Sequence, residues 1–394
     1  MKKQTQAIHL EYERRDAYDS LSVPVYNTLA YEFDNAAVMA EAFTDKIKAP
    51  DYSRVENPTV TNLERRVAAL TDAAHATAFN SGMAAISNTL MALAAQGKNI
   101  VTSKHLFGNT YALLVATLRR FGVKVRLRDL TNIEAVREAI DDDTCCVFLE
   151  ILTNPQLEVA DLKAISEVAH EKNVPLVVDS TVIPFTQFSA KSLGVDIEVV
   201  SSSKYVSGGA TSLGGLVIDY GTPYNGDFAK RLYGEMLFNF GAYMTPQVAY
   251  MQTIGLETLD ARYRVQSSNA LELAKKLRSL PQIKLVNYVG LEDNPYHELA
   301  QRQFGKTAGA MICIDLESKE ACFSFLNNLK LIHRATNLFD NRSLAIHPAS
   351  TIFGAFSENM RKSMNVKDTT IRLSIGLEDV DDLFEDIKQA VDCL

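Results

Sequence analysis

The stretch Val199–Gly215, VVSSSKYVSGGATSLGG, sets Lys204 directly behind three serines, after an apolar run and ahead of a glycine-rich loop. An amine at the end of a strand is either an ordinary surface charge or a nucleophile for a carbonyl. A second group with chemistry is Asp179, which closes the run LVVD. An amine and a carboxylate at neighbouring strand ends suit pyridoxal phosphate. The amine condenses with the aldehyde, and the carboxylate keeps the pyridine nitrogen protonated so that the ring accepts electrons. The same two residues also fit a buried ion pair, or two unrelated loop positions. A third piece is FNSGMAAISNTLMAL, where Ser81 and Gly82 open a helix. Glycine lets an anion approach the backbone and a helix N-terminus offers free N–H groups, which makes a phosphate site. The other reading is a plain N-cap by Ser81. Ser201 and Ser203 either add hydroxyl donors to that phosphate or are polar loop groups.

Such residues need a sheet edge to hold them. From Asn57 to about residue 250 short apolar runs alternate with amphipathic helices. VTNLERRVAAL, NIEAVREAI and LKAISEVAHEKN have helical spacing, while KNIVTS, VKVRLRDL, CCVFLEIL, VPLVVDS and DIEVVSSS read as strands. Strand–helix alternation with near-continuous apolar strands predicts an α/β fold with a mostly parallel sheet. Ligands of such sheets sit at the carboxyl ends of the strands, which is where Asp179 and Lys204 fall. A long helix over TLDARYRVQSSNALELAKKL follows, then strands near GAMICIDL and TTIRLSIGL and a closing helix DVDDLFEDIKQAVDCL, an α+β pattern. Residues 1–52 lack clear periodicity and read as an extended arm packing on another subunit. The predicted division is arm 1–52, cofactor-binding domain 53–250 and C-terminal domain 251–394.

The chain has 394 residues, 47% hydrophobic and 22% charged, enough for a large core. Its formal charge of -8 carries no long like-charge block, which argues against nucleic acid or an anionic membrane as partner. The five cysteines, Cys145, Cys146, Cys313, Cys322 and Cys393, form no CxxC pair and fit reduced thiols. The N-terminal MKKQTQAIHLEYERRD has no apolar h-region, and no apolar run reaches the ~18 residues of a membrane span, so a cytoplasmic protein is expected. The seven histidines lack metal-ligand spacing, and no metal is expected. There is neither a GxGxxG behind a strand nor a GxSxG elbow.

Seven pieces follow one another in a recognisable order: DYSRVENPT, NSGMAAI, FGNTY, VVDST, SSSKYVSGG, HPAS and IRLSIGLED. In order and spacing they resemble the Cys/Met-metabolism family of pyridoxal-phosphate enzymes over essentially the whole chain. That family includes cystathionine γ-synthase, methionine γ-lyase and the acylhomoserine sulfhydrylases. The resemblance implies a type I pyridoxal-phosphate fold, with a seven-stranded, mostly parallel sheet and a smaller α+β C-terminal domain. It makes Lys204 the Schiff-base lysine and proton carrier, and pairs Asp179 with the pyridine nitrogen. Gly82 and Met83 would give backbone N–H groups to the phosphate, with Ser81, Ser201, Ser203 and Thr181 around them. Tyr52 and Arg54 would reach the site of the neighbouring subunit, so the enzyme would need a dimer, assembled into a tetramer. Arg372 would bind the substrate carboxylate, a task suited to a bidentate guanidinium, with Asn337, Asn154 and Tyr52 alongside. Asn154 would also lie near the cofactor's ring hydroxyl.

Departures from the family pattern narrow the reading. Many members carry a tyrosine over the cofactor ring that also protonates a departing group. Phe107 stands there, and it stacks but cannot donate. A carboxylate leaves without such help, whereas a thiolate gains from it. Methionine γ-lyases have a cysteine where this chain has Asn109. TNLFDNRSLAIHPAST and GGATSLGG look most like O-acetylhomoserine sulfhydrylase. The expected reaction is therefore replacement of the acyloxy group of an O-acylhomoserine by sulfide or a thiol. The alternatives are a C–S lyase acting on methionine or cystathionine, a succinyl-dependent relative, and a catalytically silent binding protein. Phe339 for a usual glycine and Ile151 for a usual hydroxyl residue are expected near the substrate. Gly209 and Gln266 each replace a histidine.

Overall fold

A computed structural model describes residues 2–10, 16, 18–44, 46–306 and 308–394. Parts of the expected arm, at residues 1, 11–15, 17 and 45, lie outside these. Seven strands form the first sheet: β1 (His75–Phe79), β2 (Asn99–Ser103), β3 (Lys124–Arg128), β4 (Thr144–Glu150), β5 (Leu176–Asp179), β6 (Ile197–Val200) and β7 (Gly215–Asp219). Their order is β1-β7-β6-β5-β4-β2-β3. β3, β2, β4, β5 and β6 run parallel, and β7 lies antiparallel to both β6 and β1.

The reason for the parallel core is visible in β4. Cys146, Val147, Phe148 and Leu149 are all buried, so successive side chains are covered on both faces. Crossover helices supply that cover. The helix Leu162–His170 turns Leu162, Ile165, Val168 and Ala169 inward, and Asp161 caps it by accepting the N–H of Ala164. The expected strands and helices of this half are all present. β1 and β7 are additions that the runs HATAF and GLVID did not announce, because such short strands have no periodicity of their own.

The second sheet takes β8 (Leu285–Asn287), β9 (Met311–Asp315), β10 (His333–Arg334), β11 (Leu344–Ile346) and β12 (Thr370–Ser374) in the order β10-β11-β12-β9-β8. β9 and β12 are the strands foreseen, and both are buried and antiparallel to each other. The foreseen long helix is Leu259–Leu277 and the closing helix is Val380–Val391. Within the arm two stretches are helical rather than extended, Lys3–His9 and Ala36–Ala42. The first docks on its own chain: Arg66 donates to the Ala7 carbonyl (2.9 Å) and Lys3 to that of Phe188 (2.8 Å). Among the described residues no helix is long and apolar enough to cross a membrane, and no cluster of His, Cys, Asp and Glu could hold a metal ion.

Candidate active site

Because β4, β5 and β6 are parallel, their carboxyl ends share one edge of the sheet. Glu150 closes β4 and Asp179 closes β5, and the two are register partners. The Asp179 carboxylate accepts the N–H of Thr181 (2.9 Å), and the Thr181 hydroxyl accepts the N–H of Ser201 just past β6 (2.8 Å). Burial raises the Asp179 carboxyl above the usual range. Beyond Ser201 a turn brings Lys204 into the same space, its N–H bonded to the Ser201 carbonyl (3.1 Å). The Lys204 amine donates to Asn337 Oδ1 at 2.6 Å. Burial, and then the charge of Arg372, lowers it to about 8.

The helix Gly82–Leu93 points its N-terminus at this edge. Ser81 caps it by accepting the N–H of Ala84 (3.1 Å), so the plain-cap role is real. A Cβ on Gly82 would stand 2.5 Å from Ser201 Cβ, so only glycine lets the helix start against the strand end. Gly82 and Met83, whose N–H groups lack intrahelical partners, both line the cavity at this point. Ser201 lines it as well. The Ser203 hydroxyl is spent elsewhere: it accepts the N–H of Gly214 (2.9 Å) and donates to that residue's carbonyl (3.1 Å).

The second sheet supplies the far wall. Arg372 on β12 is buried and donates Nη1 to Asn154 Oδ1 and Nη2 to the Asn337 carbonyl, both at 3.1 Å. Its Nε has no hydrogen-bond partner among the described residues. The cavity so enclosed is about 540 Å³, and Phe107, Asn109, Glu150, Asn154, Asp179, Lys204, Asn337 and Arg372 all face it. Glu150 was missed in the sequence. It accepts the N–H groups of Phe107 (2.5 Å) and Asn154 (3.3 Å), and burial together with Asp179 raises it to about 8. The signal was there, an acid closing the apolar run CCVFLE as Asp179 closes LVVD.

Tyr52 and Arg54 are not in this cavity. They line a second one of about 1120 Å³, where Arg54 donates to the Phe238 carbonyl and its guanidinium lies 5.4 Å from the Tyr52 ring centroid. Two departures correct an expectation, because neither Phe339 nor Ile151 lines the first cavity. Phe339 is buried and stacked on Tyr205, ring centroids 4.0 Å apart, with φ at +58° where the family's glycine would sit without strain. Ile151 is buried in the core. A Cβ on Gly209 would meet the Asn341 amide at 2.3 Å, so a side chain fills the room a histidine would take. Gln266 donates to the Asp340 carbonyl at 2.7 Å.

The pieces fit pyridoxal phosphate. A buried amine of lowered affinity for protons, a buried carboxylate across from it and a glycine-led helix start are what the aldehyde, the ring nitrogen and the phosphate require. The fold and site together define the type I pyridoxal-phosphate enzymes. The chain belongs to the Cys/Met metabolism PLP-dependent enzyme family, whose sequence profile matches residues 4–392. A structure from Campylobacter jejuni, named for O-acetylhomoserine (thiol)-lyase and carrying a pyridoxyl-lysine, superposes with a TM-score of 0.95 at 35% identity over 100% of both chains. The L-methionine gamma-lyase of Fusobacterium nucleatum subsp. polymorphum is 37% identical, covering 98% of this chain and 97% of its own. The O-acetyl-L-homoserine sulfhydrylase of Corynebacterium glutamicum is 31% identical, covering 98% and 95%. The protein is thus a pyridoxal-phosphate enzyme of sulfur amino-acid metabolism.

Proposed function

We propose that this enzyme replaces the acyloxy group of an O-acylhomoserine, O-acetyl-L-homoserine foremost, with sulfide or a thiol to give homocysteine or methionine. The observation that supports it is the lining of the cavity: among the described residues it holds no tyrosine, cysteine or histidine, and Phe107 has no hydroxyl. A leaving carboxylate needs no proton, while a leaving thiolate would find no phenol among the residues that this chain itself contributes to the cavity.

Bound pyridoxal phosphate supplies an electrophilic carbonyl and an electron sink. The Gly82 and Met83 N–H groups would hold the phosphate, Asp179 would pair with the ring nitrogen and the Phe107 ring would stack on the cofactor. Arg372 takes the substrate carboxylate, with the Asn154 amide steadying its guanidinium. Lys204, whose amine is lowered to about 8, would take the Cα proton, hand it on to the conjugated system the cofactor would supply and, neutral again, take a Cβ proton, which would free the γ-substituent to leave. Asn337 accepts the hydrogen bond that orients the amine, at 2.6 Å.

The site residues are read with the division 1–52, 53–250 and 251–394. Tyr52 and Arg54 serve a second copy's cofactor phosphate, in a dimer that pairs into a tetramer in the cytoplasm. A second reading, cleavage of the C–S bond of methionine or cystathionine, has the 37% identical Fusobacterium lyase in its favour. Product analysis with O-acetylhomoserine, O-succinylhomoserine and methionine, each with and without sulfide, decides between them. The proposal expects homocysteine from the acetyl ester with the highest kcat/KM. Methionine as the better substrate would replace it with the lyase.

A further inference from the structure

We propose that Glu150 is a positioning residue whose two carboxyl oxygens lock the Phe107 loop and the Asn154 loop in one register and, through Asn154, aim the Arg372 guanidinium. Three observations carry it. One oxygen accepts the N–H of Phe107 at 2.5 Å and the other that of Asn154 at 3.3 Å. Asn154 then passes the constraint on, since its Oδ1 takes Arg372 Nη1 at 3.1 Å. Glu150 itself is anchored by being the last residue of β4, paired in register with Asp179. One buried side chain thus ties the ring platform, the guanidinium clamp and the carboxylate across the cofactor to a single strand end.

The chemistry explains why an acid is used for two backbone donors. A carboxyl has acceptor capacity on both oxygens, whereas an amide accepts on one and donates from the other. Burial and the adjacent Asp179 raise Glu150 to about 8, which favours its neutral form near neutral pH. Glu150→Gln therefore keeps the neutral charge and the volume, and removes only one of the two acceptors. One loop must then shift. The loss is felt where Arg372 meets a carboxylate.

The inference rests on the reading of Arg372 as the substrate-carboxylate clamp, so the test includes Arg372→Lys. The probe is glycine, which has the amine and carboxylate but no γ-carbon and so is independent of the choice of donor. Its dissociation constant is measured by calorimetry on the holoenzyme, with cofactor content checked by absorbance. Glu150→Gln is expected to weaken glycine about tenfold, and to add less than about twofold in the Arg372→Lys background, because residues acting in one chain of contacts are not additive. Should the amide variant fail to fold, Glu150→Asp, which keeps the acid and shortens its reach, carries the same expectation. An unchanged glycine constant in Glu150→Gln, or a full tenfold loss persisting in the Arg372→Lys background, overturns the inference. If Arg372→Lys itself leaves glycine binding unchanged, the reading of the clamp falls, and the inference with it.

Discussion

Two cavities of this chain hold the residues assigned to one cofactor, and they are built differently. In the smaller, about 540 Å³, the chemistry comes from strand ends or from residues directly bonded to them. Glu150, Asp179, Lys204 and Arg372 are each tied to the sheets by hydrogen bonds or by register. In the larger, about 1120 Å³, the lining comes from the arm, the helix Pro58–Thr71 and the segment around Phe238, and Arg54 is held by a carbonyl rather than a carboxylate. A sheet edge fixes the first geometry from within one chain. The second set of residues has chemistry but no place in the first cavity, which supports the reading that it faces another copy.

The sharpest way to break that contrast is to disable one cavity in each of two chains. Lys204→Ala removes the amine and is expected to lower turnover by more than about 10⁴-fold, since nucleophile and proton carrier are lost together. Arg54→Ala is expected to be nearly as inactive if its guanidinium serves the partner's phosphate. Mixing the two under conditions of subunit exchange should then recover about a quarter of parental activity, because half of random dimers are hybrids with one intact site of two. Confirmed hybrids that stay inactive would return Arg54 to a structural role.

A change within the smaller cavity sharpens its chemistry. Phe107→Tyr restores a phenol above the cofactor and is expected to raise C–S cleavage of methionine by about 10²-fold, the lower end of general-acid assistance, with little change in acetyl ester turnover. Equal gains on both substrates would show that the ring's hydroxyl is not acting on the leaving group.

The smallest effect is a displacement along the pH axis. Lys204 has its affinity lowered from 10.5 to about 8, and the neutral form that attacks an aldehyde grows as pH rises through that value. Capture of pyridoxal phosphate by the apoprotein, followed by absorbance, should accelerate with a midpoint near 8. A midpoint near 10.5 would mean that Lys204 is solvated like the surface lysines.

What could be read in the sequence follows the same divide. Lys204 and Asp179 stand out because strand ends in a parallel sheet leave a local signature, an apolar run stopped by a charge. Gly82 is legible because a Ser-Gly turn opens a helix. Glu150 carries the same signature as Asp179 but is one acid among many until its two backbone donors are seen. Arg372 sits in the run TIRLSIG, and nothing local says that β12 faces β4's loop across a cavity; the resemblance had to supply it. Phe339 and Ile151 were expected near the substrate from their places in the family pattern, and a place in a pattern does not decide which way a side chain turns. At Phe339 the backbone, at φ +58°, swings the ring onto Tyr205 instead.

The antiparallel strand β7 has a consequence for the order in which the site assembles. β6 and β7 are neighbours, so the loop 201–214 that carries Lys204 closes as a long hairpin, at the modest entropy of a short loop. Ser203 and Gly214 clasp its neck. Arg372 arrives from a strand far downstream, and contacts between distant segments are slow to form. A refolding chain would therefore present its lysine loop before its guanidinium, and gain the capacity to capture an aldehyde before the capacity to select an amino acid.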